Sequence, residues 1–453
     1  MMKIDLRNKK VSVIGAGRSG TAAAEVVKSL GGIPFVSDSD MALRNKANQR
    51  LSELNIEVEF GEHSGKVFES ELIIVSPGVA ADSKTVREAK SRGIPVWPEV
   101  EFAYRICKGK IIGVTGSNGK TTTSTLLGEI LKKGKRSTFV CGNIGYPFTS
   151  IASKVPADGY AVVELSSFQL ELIEKFRPDI AIFLNISPDH LDRHGDMATY
   201  LAAKMRIFEN QTSSDKALIN YDDVILRERC NNLKAKTAWY SVQKPVESGV
   251  WADPGGDLMA GTTRIMDSRN LRIRGVHNLS NACAASLAAL EVGIGIDDIA
   301  DVLKSFPGVE HRLEPVRLIG GVSFINDSKG TNVDSVHWAL QAVSAPVILI
   351  AGGKDKDSDF STLNDLIGQK VKCAVLIGKA ASKIMAIWDN ATECRMAGNM
   401  EDAVEAAFAS AVEGDTVLLS PGCASFDMFD DFEHRGRVFK QAVEKLASRK
   451  VSR

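Results

Sequence analysis

Short apolar runs recur along this chain, each closed by glycine or a polar turn and followed by residues at helical spacing. Runs without polar alternation predict strands buried on both faces, and their regular exchange with helices predicts parallel sheets. The first series holds VSVIGAG at 11–17, a helix-like TAAAEVVKSL, IPFVSD at 33–38, ELIIVSPG at 71–78, a helix near 84–92 and IPVWP at 94–98. In the second, strands are predicted at 111–115, 138–140, 161–165 and 180–185, with helices at 199–209 and 277–292. Between 220 and 274 the pattern loosens into short alternating runs such as TTRIM and LRIRG, which predict a small antiparallel patch. The third series places strands at 322–326, 347–351, 374–377 and 416–420, with helices between and after them. The breaks between series predict domains at 1–98, 99–307 and 308–453.

The turns that close these runs carry the chemistry. KIIGVTGSNGKTTT at 110–123 reads as strand, glycine loop and helix. Backbone N–H groups of such a loop and the helix N-terminus cradle phosphate, with Lys120 reaching the terminal phosphates and the Thr121 hydroxyl placed for Mg²⁺. The spacing departs from the strict phosphate-loop pattern: five residues separate Gly113 from Gly119, so the motif is TGxNGKTT. Glu164 closes the strand YAVVEL, where an acid facing a phosphate loop holds Mg²⁺. NISPDHLDRHG packs Asp189, His190, Asp192 and His194 into one strand-end loop. In the first series, GAGRSG at 15–20 follows a strand, and Asp38 ends the next one, which matches the dinucleotide fingerprint. That site could hold NAD or another nucleotide diphosphate. INDSKGTNVDS, AGGKDKDSDF and LLSPGCASFDMFDDFEHRG all end strands of the third series and would gather at one sheet edge. Lys329, Lys356 and Ser425 in them could receive a carboxylate. Lys204 has Tyr200 and Phe208 at its i−4 and i+4 positions and no acid at either, so its neighbours alone predict a surface lysine.

Composition narrows the setting. The 453 residues carry a formal net charge of zero, which predicts no bulk affinity for nucleic acid or anionic membrane. No apolar run approaches 18 residues, and MMKIDLRNKK lacks the apolar core of a signal peptide, so a cytoplasmic chain without a membrane span is expected. The seven cysteines are scattered without a C-x-x-C pair, which fits a reducing compartment. Cys423, in a glycine-flanked loop, reads as a plain thiol more readily than a reactive one.

Taken together, these motifs resemble the Mur ligases of peptidoglycan synthesis. TGSNGKTT, Glu164 in ELSSFQLE, NISPDHLDRHG, AAKMRIF, HNLSNACAA at 277–285 and GVEHRLE around Arg312 are similar to that family's motifs. NDSKGTN, AGGKDKDSDF and LSPGCASFDMFDDFEHRG look like its D-glutamate-adding branch. The resemblance implies an α/β chain of three domains: a Rossmann-like N-terminal one, a P-loop ATPase-like central one with a mostly parallel sheet, and a Rossmann-like C-terminal one. It implies an ATP-dependent amide ligase with UDP-MurNAc-L-Ala and D-glutamate as substrates, two Mg²⁺ sites and a carbamylated Lys204. Gly116, Asn118, Gly119, Lys120, Thr121, Thr122, Asn278, Asn281, Arg312 and Asp327 would bind ATP. Thr121, Glu164, His190 and Lys204 would serve the metals, with Lys120, His190 and Lys204 catalytic. Arg18, Ser19, Asp38, Ser39, Gly78 and Asn143 would hold the UDP substrate. In this family the GxGxxG-like block holds UDP rather than NAD. Asp40 follows Asp38 and Ser39, and an acid beside a uracil or diphosphate adds no favourable charge. Lys329, Thr331, Lys356, Ser425 and Phe432 would place D-glutamate. The absence of a heptad run predicts a monomer. A nicotinamide oxidoreductase built on GAGRSG would leave TGSNGKTT unexplained. A sibling or folylpolyglutamate synthase-like ligase would share the phosphate loop but not the third-series motifs.

Overall fold

A computed structural model describes residues 4–247, 249–253 and 255–451. The chain forms three mainly parallel sheets. The first is all parallel, in the order Glu57–Phe60, Ile33–Asp38, Lys10–Ile14, Leu72–Val75, Val96–Pro98. The strand Leu72–Val75 is apolar throughout because both of its faces are covered. Leu72 and Ile74 enter one core cluster, and Ile73 and Val75 enter the other.

The central sheet has nine strands and is built around Lys110–Thr115, which lies between Tyr160–Glu164 and Ile180–Phe183 with all three parallel. Lys216–Asn220 and Lys236–Ser241 continue the parallel pairing. The antiparallel patch expected after residue 220 is confined to Gly249–Ala252, Asp257–Ala260 and Thr263–Asp267. The helix expected over 199–209 is α-helical at Met197–Met205 and tightens to a 3₁₀ turn at Arg206–Phe208. There the Arg206 guanidinium donates to the carbonyls of Glu171 and Ile173.

The third sheet runs in the order Glu314–Ile319, Val322–Asn326, Thr416–Leu419, Val347–Gly352, Val371–Ile377, Glu393–Met396. Its edge strand is antiparallel, joined through Gly320 and Gly321 at φ +56° and +76°, the twist a two-residue hairpin turn requires.

The chain divides into two compact units. One comprises Met1–Ile186, Ala198–Asn270 and Ser280–Ser305, and holds the first two sheets. The other comprises Ser187–Met197, Leu271–Leu279 and Phe306–Arg453, and holds the third. The loop after the strand Ile180–Phe183 therefore groups with the C-terminal sheet. Among the described residues, no helix is long and apolar enough to cross a membrane.

Candidate active site

The strand Lys110–Thr115 opens into a loop in which Gly116 (φ +149°) and Gly119 (φ +84°) adopt backbone angles that favour glycine. A Cβ on Gly119 would lie 2.3 Å from Asn281 Oδ1, and one on Gly116 would lie 2.9 Å from Leu184 Cβ. Gly119 caps the helix Lys120–Lys133, whose first N–H groups face the loop. Asn185 braces the loop from below: its Oδ1 accepts the Asn118 N–H at 2.8 Å and its Nδ2 donates to the Asn118 carbonyl at 3.1 Å. Lys120 Nζ donates to the carbonyls of Gly116 and Ser117, each at 2.8 Å. Thr122 is buried, and Thr123 Oγ1 donates to Asn281 Oδ1 at 3.2 Å.

Glu164 is 1% exposed at the end of its strand. Its Oε2 accepts the Thr121 hydroxyl at 2.8 Å, and its Oε1 accepts from the Asn143 amide at 2.9 Å. A buried carboxylate touching a phosphate-loop hydroxyl is the hard oxygen donor set that Mg²⁺ takes, so the residues present fit that ion. Lys204 is also 1% exposed, which corrects the surface reading drawn from its helical neighbours. Its Nζ donates to the Gly116 carbonyl at 2.8 Å and lies 4.7 Å from the Tyr200 ring centroid. The Tyr200 hydroxyl in turn lies 3.1 Å from Ser117 Oγ. Lys120 and Lys204 thus converge on one loop carbonyl. Gly116, Asn118, Gly119, Lys120, Thr121, Glu164, Asn143, Lys204 and Asn281 form one connected group.

At the carboxyl ends of the first sheet, a second group surrounds GAGRSG. Gly15 has φ +98°, and a Cβ on Gly20 would sit 1.7 Å from the Gly15 carbonyl, so close helix–strand approach requires both glycines. Asp38 Oδ2 accepts the Ala16 N–H at 2.6 Å and its Oδ1 accepts the Asp40 N–H at 2.8 Å. Arg18 opens the helix Arg18–Ser29, followed by Ser19, while Ser39 and Gly78 lie just beyond the ends of neighbouring strands.

The third group lies in the C-terminal unit. His190 has φ +55° and caps a short helical turn, Leu191–His194. Beside it, Asp189 Oδ1 is 3.2 Å from Lys356 Nζ. Asp189, His190, Asn332, Trp338, Lys356 and Leu363 line a cavity of about 570 Å³. Asp327 accepts the Ser420 hydroxyl at 2.8 Å and the Leu313 N–H at 3.2 Å. Burial pushes its pKa up to about 6, against the opposing pull of Arg312. Lys329 Nζ sits 4.8 Å from the Phe432 ring centroid. Thr331 is half-buried and Ser425 buried. Asn278 Nδ2 donates to the Arg274 carbonyl at 2.7 Å.

Two residues that sequence reasoning passed over hold these loops in place. Asn185 is one. Arg435, 1% exposed, donates from Nε to Ser328 Oγ at 3.0 Å, from Nη1 to the Cys423 carbonyl at 3.1 Å and from Nη2 to the Ser328 carbonyl at 2.7 Å. One guanidinium therefore ties the DSKG loop to the PGCAS loop. Cys423 is buried and its thiol is pushed up to about 12, in keeping with an unreactive thiol.

Residues 9–98 match the N-terminal domain of MurD-like Mur ligases, 114–289 the Mur ligase middle domain, and 311–423 the Mur ligase glutamate ligase domain. The UDP-N-acetylmuramoylalanine–D-glutamate ligase of Koribacter versatilis is 43% identical, covering 98% of this chain and 99% of the relative. That of a Thermoanaerobacter species is 44% identical, covering 98% and 100%. Among solved structures, the UDP-N-acetylmuramate–alanine ligase of Thermotoga maritima superposes with a TM-score of 0.62 at 19% identity, over 97% of this chain and all of the other. At that identity the likeness speaks for the fold.

Proposed function

The chain belongs to the Mur ligase family, and we infer that it is an ATP-dependent ligase joining D-glutamate to UDP-N-acetylmuramoyl-L-alanine. The observation that carries this reading is sequence likeness of 43–44% to D-glutamate ligases over 98% of the chain.

The reaction follows from the substrates' chemistry. The alanyl carboxylate attacks the γ-phosphorus of ATP, the bond to ADP breaks, and an acyl phosphate forms. The amine of D-glutamate then attacks the acyl carbon, loses a proton, and the carbon–oxygen bond to phosphate breaks as the amide forms. The first step brings two anions together. Gly116 and Gly119 offer backbone N–H groups to the triphosphate from a loop that Asn118 anchors on Asn185, and Lys120 exchanges its loop carbonyls for phosphate oxygens. Thr121 and Glu164 would hold one Mg²⁺ and His190 with a carbamylated Lys204 a second; bound there, the ions would offset the triphosphate charge. Lys204 would give up two protons from its ammonium as its nitrogen bonds CO₂, turning a buried cation into an anionic oxygen ligand. The burial of Lys204 beside the phosphate loop supports that role. Asn278, Asn281, Arg312 and Asp327 are proposed for the nucleotide, and Arg18, Ser19, Asp38, Ser39, Gly78 and Asn143 for the UDP substrate. Lys329, Thr331, Lys356, Ser425 and Phe432 are proposed for D-glutamate. We further propose a monomer acting in the cytoplasm.

The test is phosphate release from ATP and Mg²⁺ with UDP-MurNAc-L-Ala, supplying D-glutamate, L-glutamate, L-alanine, glycine, L-lysine or meso-diaminopimelate. Release with D-glutamate alone is the expected result. Release with a different amino acid would keep the chemistry and discard the substrate.

A further inference from the structure

Asp189 has no part in the scheme above, yet it touches two groups that the scheme relies on. Its Oδ1 lies 3.2 Å from Lys356 Nζ and accepts the His190 backbone N–H at 3.0 Å. Its Oδ2 accepts from the Asn332 side-chain amide at 3.2 Å and lies 3.6 Å from His190 Nε2. The side chains of Asp189 and Lys356 are only 9% and 15% exposed, so water and salt screen their interaction less than they would a surface pair. Both residues line the same cavity of about 570 Å³.

A carboxylate arriving at Lys356 therefore meets an ammonium that already carries a carboxylate. It must displace Asp189 Oδ1 or share the ammonium with it. In either case it works against a fixed negative charge at close range. Asp189 does not swing away when Lys356 turns to a ligand, because the His190 N–H and the Asn332 amide hold one oxygen each. We propose that Asp189 competes with D-glutamate for Lys356 and so sets how tightly the amino acid is held. This rests on the reading of Lys356 as a partner of the D-glutamate carboxylate. Asp189 is then a positioning residue: it fixes the ammonium and weakens the ligand that uses it.

The experiment measures KM for D-glutamate, at saturating ATP and UDP-MurNAc-L-Ala, in the parent, Asp189→Asn, Lys356→Met and the double variant. Asparagine keeps an acceptor oxygen for the His190 N–H and removes the charge, at the cost of the oxygen that accepts the Asn332 amide. Asp189→Ser is the second variant should the first fail to fold. Either substitution is expected to lower KM for D-glutamate about three- to tenfold while KM for ATP holds. Lys356→Met is expected to raise it, and in that background Asp189→Asn is expected to have no further effect. An unchanged or raised KM in both Asp189 variants, with Lys356→Met still raising it, would overturn the competition. An unchanged KM in Lys356→Met would remove the Lys356 assignment and the proposal with it.

Discussion

Asp327 is a buried residue whose protonation couples to stability. Burial lifts its carboxyl from an ordinary 3.8 to about 6, although Arg312 and Arg435 pull the other way. Below about pH 4 the folded and unfolded forms both hold the proton. Between about 4 and 6 only the folded form holds it, so stability falls as pH rises through that window and then stays level. Asp327→Asn removes the titration but gives up one acceptor oxygen. The variant should gain about 2 kcal/mol over the parent at pH 7 and be about 1 kcal/mol less stable than the parent below about pH 4, where only the lost acceptor counts. Urea unfolding at stepped pH reads this directly, and a gain that does not change with pH would refute it. The same scale shows where letters alone run out. Lys120, Thr121 and Glu164 were legible because a loop, a helix start and a strand end are local patterns. Lys204 was not, because the carbonyl that buries its ammonium, that of Gly116, lies 88 residues away. Arg435 was missed for the same reason: two of its three acceptors belong to Ser328, 107 residues away.

Among the elements, the strand–loop–helix at 110–133 is the most constrained. Gly119 must combine φ +84° with a close approach to Asn281 Oδ1, the same atom that accepts the Thr123 hydroxyl. Gly119→Ala adds both the left-handed strain and a Cβ at 2.3 Å from that oxygen. The expected result is a stability loss of about 2 kcal/mol or more and a rise in KM for ATP. Gly78→Ala is the contrast, since a Cβ there meets nothing within 4 Å; its urea midpoint should match the parent's. A Gly119→Ala protein with parental stability would show that the loop relaxes freely. Among the elements that sequence pattern did not reveal are the polar edge strands Glu57–Phe60, Glu314–Ile319 and Glu393–Met396. An edge strand buries little, so its residues carry little apolar signal. The antiparallel patch was legible because its side chains alternate. The parallel strand Lys236–Ser241 was not, since its half-polar sequence gains its partners only from the sheet.

For the whole molecule, each sheet sends its loops out from the carboxyl ends of parallel strands, which is why charged, glycine-rich segments recur at three places along the chain. The unit that holds the third sheet is nevertheless assembled from three stretches of sequence. The segment Ser187–Met197 supplies Asp189 to Lys356 and the Ser187 hydroxyl to Asp334 at 3.0 Å. Leu271–Leu279 brings buried Leu271 and Ile273, and sets His277 against Trp338 with ring centroids 6.2 Å apart. A fragment of residues 306–453 would keep both apolar faces of its sheet but leave Lys356 without Asp189 and Trp338 without its ring neighbour. Such a fragment should protect the amides of Val347–Gly352 from hydrogen exchange, as the intact chain does. It should lose protection over the helix Val333–Ala342, where Asn332, Asp334 and Trp338 face the missing segments. Equal protection of that helix in the fragment and the intact chain would mean that the two inserted segments add nothing to the unit's stability, and that the Asp189–Lys356 pair does not help to hold the loop against it.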